Sequence, residues 1–453
     1  MRRQLFGTDG VRGVAGEYPL DDETVFALGA ALGGIAARHA AEPEVVIGMD
    51  TRESGPRIAA LVGGGLESRG VRVRFAGVTT TPGVAYLTRS DDYVAGVMIS
   101  ASHNPYRDNG IKVFGHSGYK LPDEEEHAIE QEIFALLEAG VSAQPAGLEP
   151  DAGLDRHYAD YLASTVSRSF EGLRIVMDCG NGASSSLAPE LFERLGAKVT
   201  AICAAPDGRN INLGCGALYV DKLRESVLKE GADAGVAFDG DADRAIFVSR
   251  TGKIVNGDGV LLMAARRLHE LGRLKDAGGK PAVVATVMSN LGLERALAAR
   301  GIGLLRTPVG DKYVLEEMLR TGIVLGGEQS GHVIFLDWAT TGDGLLTAIR
   351  VFEMMREAGA GLDELTAELQ IYPQRLVNVR VRSKKPLAEL PGVTEEIQAA
   401  ERAFGHAGRV LVRFSGTELL ARVMVEGPEL AQVDAVAARI AGLIERELGA
   451  PAA

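Results

Sequence analysis

Three stretches of the chain repeat one alternation of apolar and polar positions. Each opens with a short run rich in Val and Ile, passes through small polar residues into a segment with apolar residues at helical spacing, and closes on Gly before a second β-rich run. The first, EVVIGMD-TRESGPRIAALVGGGLESRG-VRVRF, begins at Glu44; the second, LRIVMDCGNGASSSLAPELFERLG-AKVTAI, at Leu173; the third, PAVVATVMSNLGLERALAARG-IGLLRT, at Pro281. Each predicts a βαβ unit. Strands alternating with helices favour mostly parallel sheets covered on both faces, so three such units predict three similar mixed α/β domains.

The last part of the chain has a different rhythm. A strand RLVNVRVRS, a helix GVTEEIQAAERAFG, strands RVLVRFS and LLARVMVEG, and a closing helix from Pro428 to Gly449 predict a smaller α+β domain. Gly and Pro accumulate at Ala146–Asp155, and further breaks fall near Arg250–Lys253 and Gln370–Gln374. The expected domains are therefore 1–152, 153–251, 252–370 and 371–453, arranged around a central cleft.

Charge and composition narrow the function classes. The 453 residues carry 48 Lys plus Arg against 61 Asp plus Glu, a formal charge of −13. That balance offers no footprint for nucleic acid or an anionic membrane, while local basic clusters can still hold small anions. No run approaches the roughly 18 apolar residues of a spanning helix, and MRRQLFGTDGVRG turns polar at once, so a cytoplasmic protein is expected. Cys179, Cys203 and Cys215 are far apart with no C-x-x-C pair, which fits neither a disulfide framework nor a thiolate zinc site. They are expected to be reduced and mostly structural.

Four loops concentrate the candidate chemistry. In Gly96–Pro105 an apolar β run stops at two serines, a His and an Asn-Pro breaker before NGIKVF resumes, displaying the Ser102 hydroxyl beside His103 on a turn. An activated nucleophile and a plain polar loop both fit this segment, and no G-x-S-x-G elbow surrounds it. Lys112 is a proton donor or acceptor near that turn if desolvation lowers its pKa, and a solvated strand lysine otherwise.

The sharper signal is Asp239-Gly-Asp-Ala-Asp-Arg244, lying between the apolar strands ADAGVAF and AIFVS. Carboxylates packed so closely repel one another unless a cation neutralises them. An all-oxygen donor set favours Mg²⁺ or Ca²⁺ over zinc, and an EF-hand fails because its sixth position is Arg244 and its twelfth Arg250. Mg²⁺ held by Asp239, Asp241 and Asp243 at a sheet edge is the expectation.

Val324–His332 opens from an apolar run into a glycine-flanked loop carrying Glu328, Ser330 and His332, groups suited to a polyhydroxylated ligand or to an ordinary β turn. Arg413-Phe-Ser-Gly-Thr-Glu418 follows the strand VLV, with Arg422 beyond. Ser415, Gly416 and Thr417 between two arginines predict a phosphate cradle, although a plain hairpin has the same small residues. There is no G-x-x-x-x-G-K-[ST], no strand-linked G-x-G-x-x-G and no H-E-x-x-H, which removes support for ATP-driven transfer, nicotinamide cofactors and zinc hydrolysis.

ISASHNP, DGDADR, GGEQSGH and RFSGTE, in this order and at these spacings, resemble the α-D-phosphohexomutase superfamily over essentially the whole chain. FGTDGVRG at Phe6–Gly13 and the Gln of GEQSGH resemble its bacterial phosphoglucosamine mutase branch more than its phosphomannomutase/phosphoglucomutase branch. The resemblance implies an isomerase that interconverts glucosamine 6-phosphate and glucosamine 1-phosphate on the route to UDP-N-acetylglucosamine for cell-wall synthesis. It implies one Mg²⁺ per subunit, phosphorylation of Ser102, and glucosamine 1,6-bisphosphate as intermediate and activator. A phosphosugar is then the small-molecule partner, and a homodimer is possible.

By the same resemblance, Ser102 donates and regains the phosphoryl group while Asp239, Asp241 and Asp243 hold the metal against it. Lys112, His103 and Arg244 line the reacting end, with Lys112 the proton shuttle and His103 and Arg12 stabilising charge around the transferring group. Glu328, Ser330 and His332 fall to the sugar, and Arg413, Ser415, Gly416, Thr417 and Arg422 to the nonreacting phosphate. Phe414 and Leu419 stand where the family's phosphate loop generally has prolines, and Lys312 stands where it commonly has Arg. A mannose or glucose phosphate mutase of the same superfamily and a catalytically silent sugar-phosphate sensor are the rival readings.

Overall fold

The computed structural model describes residues 5–7, 9–415 and 419–449. Four strands are covered at every position, Ala95–Ile99, Ala234–Phe238, Ala245–Ser249 and Ala282–Thr286, whereas the crossover partners Lys198–Ile202 and Gly303–Thr307 are mostly half-buried or exposed. The first sheet contains β1 (Phe6–Gly7), β2 (Gly10–Val14), β3 (Glu44–Met49), β4 (Arg72–Val78), β5 (Ala95–Ile99) and β6 (Asp108–Gly115), in the order β1-β2-β6-β5-β3-β4. The second contains β7 (Arg174–Asp178), β8 (Lys198–Ile202), β9 (Ala234–Phe238), β10 (Ala245–Ser249) and β11 (Ile254–Val255), in the order β11-β10-β9-β7-β8. The third contains β12 (Ala282–Thr286), β13 (Gly303–Thr307), β14 (Leu325–Gly327) and β15 (Val333–Phe335), in the order β13-β12-β14-β15.

One four-strand motif recurs in all three. The first strand of each βαβ unit (β3, β7, β12) pairs in parallel with its crossover partner (β4, β8, β13) and with a later strand (β5, β9, β14). That later strand then turns back into an antiparallel neighbour (β6, β10, β15). The repeats in the sequence are thus repeats of topology.

Helices cover these sheets and start at defined caps. Asp21 accepts the Thr24 N–H ahead of helix Asp22–His39, and Asp343 accepts the Leu346 N–H ahead of helix Gly344–Ala358, which ends on the left-handed Gly359. Phe352 of the latter helix packs edge-on against Phe170, Phe192 and Phe247, joining the second and third sheets through one aromatic cluster.

The chain divides into two compact units, residues 1–288 with 300–367, and residues 289–299 with 368–453. In the second unit β16 (Gln374–Arg380), β17 (Arg409–Phe414) and β18 (Leu420–Glu426) form an antiparallel sheet in the order β16-β18-β17. Val423, Val425, Ile440 and Ile444 bury the sheet against helix Leu430–Leu448. Two details depart from the expected boundaries. β11 extends the second sheet to Val255, past residue 251, and the crossover helix Leu291–Ala298 groups with the second unit rather than with the segment 252–370. Among the described residues no helix is long and apolar enough to cross a membrane.

Candidate active site

Three of the four sequence-predicted loops occupy the same place in the repeated motif. ISASHNP joins β5 to β6, DGDADR joins β9 to β10, and GEQSGH joins β14 to β15. Each follows the C-terminal end of a parallel strand, where open α/β sheets build their binding crevices. The DGDADR loop does not lie at a sheet edge, as expected from the sequence; β9 and β10 are interior strands, and the loop sits at their ends.

Ser102 is buried and adopts a left-handed backbone, φ +51°. A non-glycine residue is held there only when its surroundings determine it. Those surroundings are Arg52, which donates to the carbonyls of Ser102 at 3.0 Å and Asn104 at 2.8 Å, and Asn212, whose Nδ2 donates to the Ser102 carbonyl at 2.9 Å. Arg52 also donates to the carbonyls of Asp108 and Pro105 and is anchored by Asp50 at 2.9 Å. The Ser102 Oγ donates to Asp239 Oδ2 at 2.6 Å and lies 3.4 Å from His103 Nδ1.

Asp239, Asp241 and Asp243 are all buried, and each offers a carboxylate oxygen within 4.8 Å of the others. Asp241 Oδ2 accepts from Thr81 Oγ1 at 2.5 Å and from Lys112 Nζ at 2.8 Å, while Asp241 Oδ1 and Asp243 Oδ1 have no hydrogen-bond partner. Burial together with the charges of Asp243 and Asp241 pushes the Asp239 carboxyl well above the usual range. Burial acts on Asp243 in the same sense, but Lys112, His332 and Arg244 more than offset it and hold that carboxyl well below. Three buried carboxylates that cannot all be stably charged, two with unsatisfied oxygens, fit a hard divalent cation.

The electrostatics correct two expectations. Lys112 is buried, which alone lowers its pKa, but Asp241 at 2.8 Å, Asp9 at 3.3 Å and Asp243 at 3.5 Å raise it overall, so it is a fixed cation rather than a desolvated base. His103 is pushed down to about 4 by burial and by Arg244 and Arg12, so it is neutral at pH 7 and carries no charge to stabilise a phosphate.

Arg12 pairs with Asp9. Arg244 lies 3.9 Å from Asp239 and 3.8 Å from Asp243, and its own N–H donates to Asp239 Oδ1 at 3.1 Å. The GEQSGH loop docks beside it, the Gly331 carbonyl accepting the Ala245 N–H. Within that loop Ser330 Oγ donates to Glu328 Oε2 at 3.4 Å, and Glu328 Oε1 accepts the Gly310 N–H at 3.1 Å. His332 Nε2 accepts the Gly342 N–H, which leaves its proton on Nδ1, 3.6 Å from Asp243.

Arg413 and Arg422 are directly opposed on β17 and β18 of the second unit, and Ser415 follows β17. Gly416 and Thr417 lie outside the described residues. Lys312 is engaged by Asp123 and lies 3.8 Å from Glu126. Sequence reasoning missed Asp9, Arg52, Thr81 and Asn212. For Arg52 a signal existed: MDTR places charged residues immediately after an apolar parallel strand. For Asn212 there was none.

Four family models match in succession: phosphoglucomutase/phosphomannomutase alpha/beta/alpha domain I over residues 3–139, domain II over 156–252, domain III over 256–372, and the C-terminal domain over 376–443. The phosphoglucosamine mutase of Solibacter usitatus is 65% identical over 449 residues, 99% of this chain and 100% of that protein. That of Koribacter versatilis is 52% identical over 458 residues, 99% of this chain and 98% of that one. A crystal structure of a phosphoglucomutase/phosphomannomutase family protein from Burkholderia thailandensis has the same fold, with TM-score 0.79 at 22% identity over 97% of both chains. The repeated sheets, the acidic loop facing a displayed serine and these full-length matches agree: the chain belongs to the α-D-phosphohexomutase superfamily, in the family of the phosphoglucosamine mutases.

Proposed function

We propose that the chain interconverts glucosamine 6-phosphate and glucosamine 1-phosphate through a phosphoserine at Ser102. The observation that carries this reading is the 2.6 Å hydrogen bond from Ser102 Oγ to Asp239, at the centre of a buried carboxylate triad. The substrate follows from the names of relatives up to 65% identical along the full chain.

Asp239, Asp241 and Asp243, with the oxygen on Ser102, would hold one Mg²⁺, which neutralises charge on the transferring phosphoryl group. The C1 hydroxyl of glucosamine 6-phosphate bonds to the phosphorus of phospho-Ser102 as the serine P–O bond breaks. His103, neutral at pH 7 and 3.4 Å from Ser102 Oγ, accepts the hydroxyl proton and passes it to the Ser102 oxygen as the P–O bond breaks. The serine is left as its hydroxyl, and the return transfer runs the same proton steps in reverse. Lys112 and Arg244 keep positive charge beside the group in transit. The glucosamine 1,6-bisphosphate so formed turns over, and its C6 phosphoryl group returns to Ser102.

Glu328, Ser330 and His332 bind the sugar in both orientations, and Arg413, Ser415, Gly416, Thr417 and Arg422 hold the phosphate that is not reacting. The opposed charges of Arg413 and Arg422 support that last assignment, since directly opposed cations on a sheet gain from a bound anion.

The test supplies glucosamine 6-phosphate, Mg²⁺ and a trace of the bisphosphate to the wild type and to Ser102→Ala. The wild type should turn over and carry phosphate on Ser102, and the variant should lose nearly all turnover. Equal turnover by both would overturn the reading, and faster turnover of mannose or glucose phosphates would move the chain to the sibling branch.

A further inference from the structure

Two of the three cysteines, distant in sequence, share a site in the fold. β7 ends at Asp178 directly opposite Ile202, the last residue of the parallel strand β8. Cys203 follows at once, and the chain after it loops back to Cys215. A carboxylate oxygen of Asp178 and the sulfurs of Cys203 and Cys215 all lie within 4.8 Å of one another. Asp178 and Cys215 are buried, while Cys203 is partly exposed and opens the cluster to solvent.

We propose that Asp178, Cys203 and Cys215 form a second metal site that takes one thiophilic divalent cation of the zinc class. Two thiolates and a carboxylate are a soft donor set, unlike the all-oxygen triad at Asp239, and three protein ligands leave the fourth tetrahedral position for water. Ligand atoms around such an ion stand roughly 3.5–4 Å apart, so the three groups need only a small contraction.

A second observation points to a cation independently. Asp178 is fully buried and its Oδ1 accepts the Gly180 N–H at 2.9 Å; the Gly216 N–H and the Cys203 thiol also act on the carboxylate, but no hydrogen bond of full strength reaches its Oδ2. A thiol is a weak donor, and a metal ion that replaces its proton gives that buried oxygen a stronger partner. The charges also balance. One carboxylate and two thiolates bring three negative charges, the cation two positive, and Lys222, whose ammonium acts on all three residues, supplies the remaining one. Both thiol protons leave to solvent when the ion binds.

The site is joined to the Ser102 turn through one loop. The loop between the two cysteines carries Asn212, whose N–H donates to the Gly180 carbonyl at 2.8 Å and whose Nδ2 donates to the Ser102 carbonyl at 2.9 Å. A cation tying both ends of this loop to β7 therefore stiffens a support of the Ser102 turn.

Cobalt is the probe. The full chain, reduced and saturated with Mg²⁺, is titrated with Co²⁺ and followed by absorption. One equivalent should develop thiolate-to-cobalt charge transfer and the visible bands of a tetrahedral ion, both bleached by Zn²⁺. Cys203→Ser, Cys215→Ser and Asp178→Asn should each weaken binding by about tenfold or more, whereas Cys179→Ser keeps the signal. Cobalt taken up by the wild type without a sulfur charge-transfer band reports the aspartate triad alone and overturns the proposal. So does a reduced wild-type chain that binds no cobalt and keeps both thiols free to titrate.

Discussion

Arg52 donates to the carbonyl oxygen of Ser102 at 3.0 Å across fifty positions of sequence, and the same guanidinium reaches the carbonyls of Asn104, Pro105 and Asp108. The turn that presents the Ser102 hydroxyl is therefore held from beneath by one fully buried side chain that never touches the reacting atoms. An ammonium cannot span four carbonyls and Asp50 together. Arg52→Lys should leave at least one buried acceptor unsatisfied and destabilise by about 1–3 kcal/mol. A misplaced Ser102 should lower kcat by up to about a hundredfold. Urea unfolding and steady-state turnover check both; a variant with normal kcat would mean the turn holds itself.

Gly240 supports the same turn from the metal-loop side. A Cβ there would stand 2.5 Å from the Ser102 carbonyl oxygen and 2.8 Å from Ile211 Cδ1. Backbone cannot yield cheaply, so Gly240→Ala should cost about 1–3 kcal/mol and separate Ser102 Oγ from Asp239. The expected result is loss of turnover with the substrate KM changed far less, read from initial rates.

Lys112 and a bound cation neutralise the same carboxylates. Lys112→Met leaves Asp9, Asp241 and Asp243 without the ammonium that each now meets within 3.5 Å. In chelator the variant should lose about 3–5 kcal/mol of stability. Mg²⁺ should restore part of that loss and stabilise the variant more than the wild type. Denaturant midpoints with and without Mg²⁺ measure the difference, and an equal Mg²⁺ effect on both proteins would contradict the shared role.

Much of this arrangement was legible in the sequence because buried parallel strands are apolar runs, and the polar residues that interrupt them mark strand ends. Ser102, Asp239 and Glu328 stand out for that reason, and all three fall in equivalent loops of the repeated sheet. Pattern could not show that equivalence, since it depends on which strands pair. Arg52 escaped notice because its partners are backbone carbonyls, which carry no sequence signature. The charge states of Lys112 and His103 also required the fold: burial lowers both, and only the neighbours decide which remains charged. Cys203 and Cys215 appeared unrelated because no spacing rule covers a loop that returns to its own strand.

Arg413 and Arg422 face each other across β17 and β18, and burial together with the charge of Arg422 lowers the Arg413 pKa. Arg413→Ala relieves that repulsion, so stability without ligand should stay level or rise by a few tenths of a kcal/mol, about 0.2–0.5. If the pair binds the nonreacting phosphate, KM for glucosamine 6-phosphate should rise about tenfold or more. Thermal unfolding beside steady-state kinetics separates the two effects; a fall in stability with unchanged KM would make the pair structural.

Asp343 caps helix Gly344–Ala358 and accepts the Tyr158 hydroxyl at 2.8 Å, and burial pushes its carboxyl up to about 6 despite those bonds. The sign follows from proton counts. Between the unfolded value near 4 and the folded value, the folded chain binds more protons, so stability falls as pH rises through this window. The stabilisation is fully present below about pH 4 and gone above about pH 6. A shift of roughly two pH units corresponds to about 3 kcal/mol. Asn is neutral throughout, so the stability difference between wild type and Asp343→Asn should shrink by about that amount between pH 4 and pH 7. Urea midpoints taken across that range give the slope. A difference that does not change with pH would mean that Asp343 is already ionised in the folded chain at pH 4, held charged by the Leu346 N–H and the Tyr158 hydroxyl.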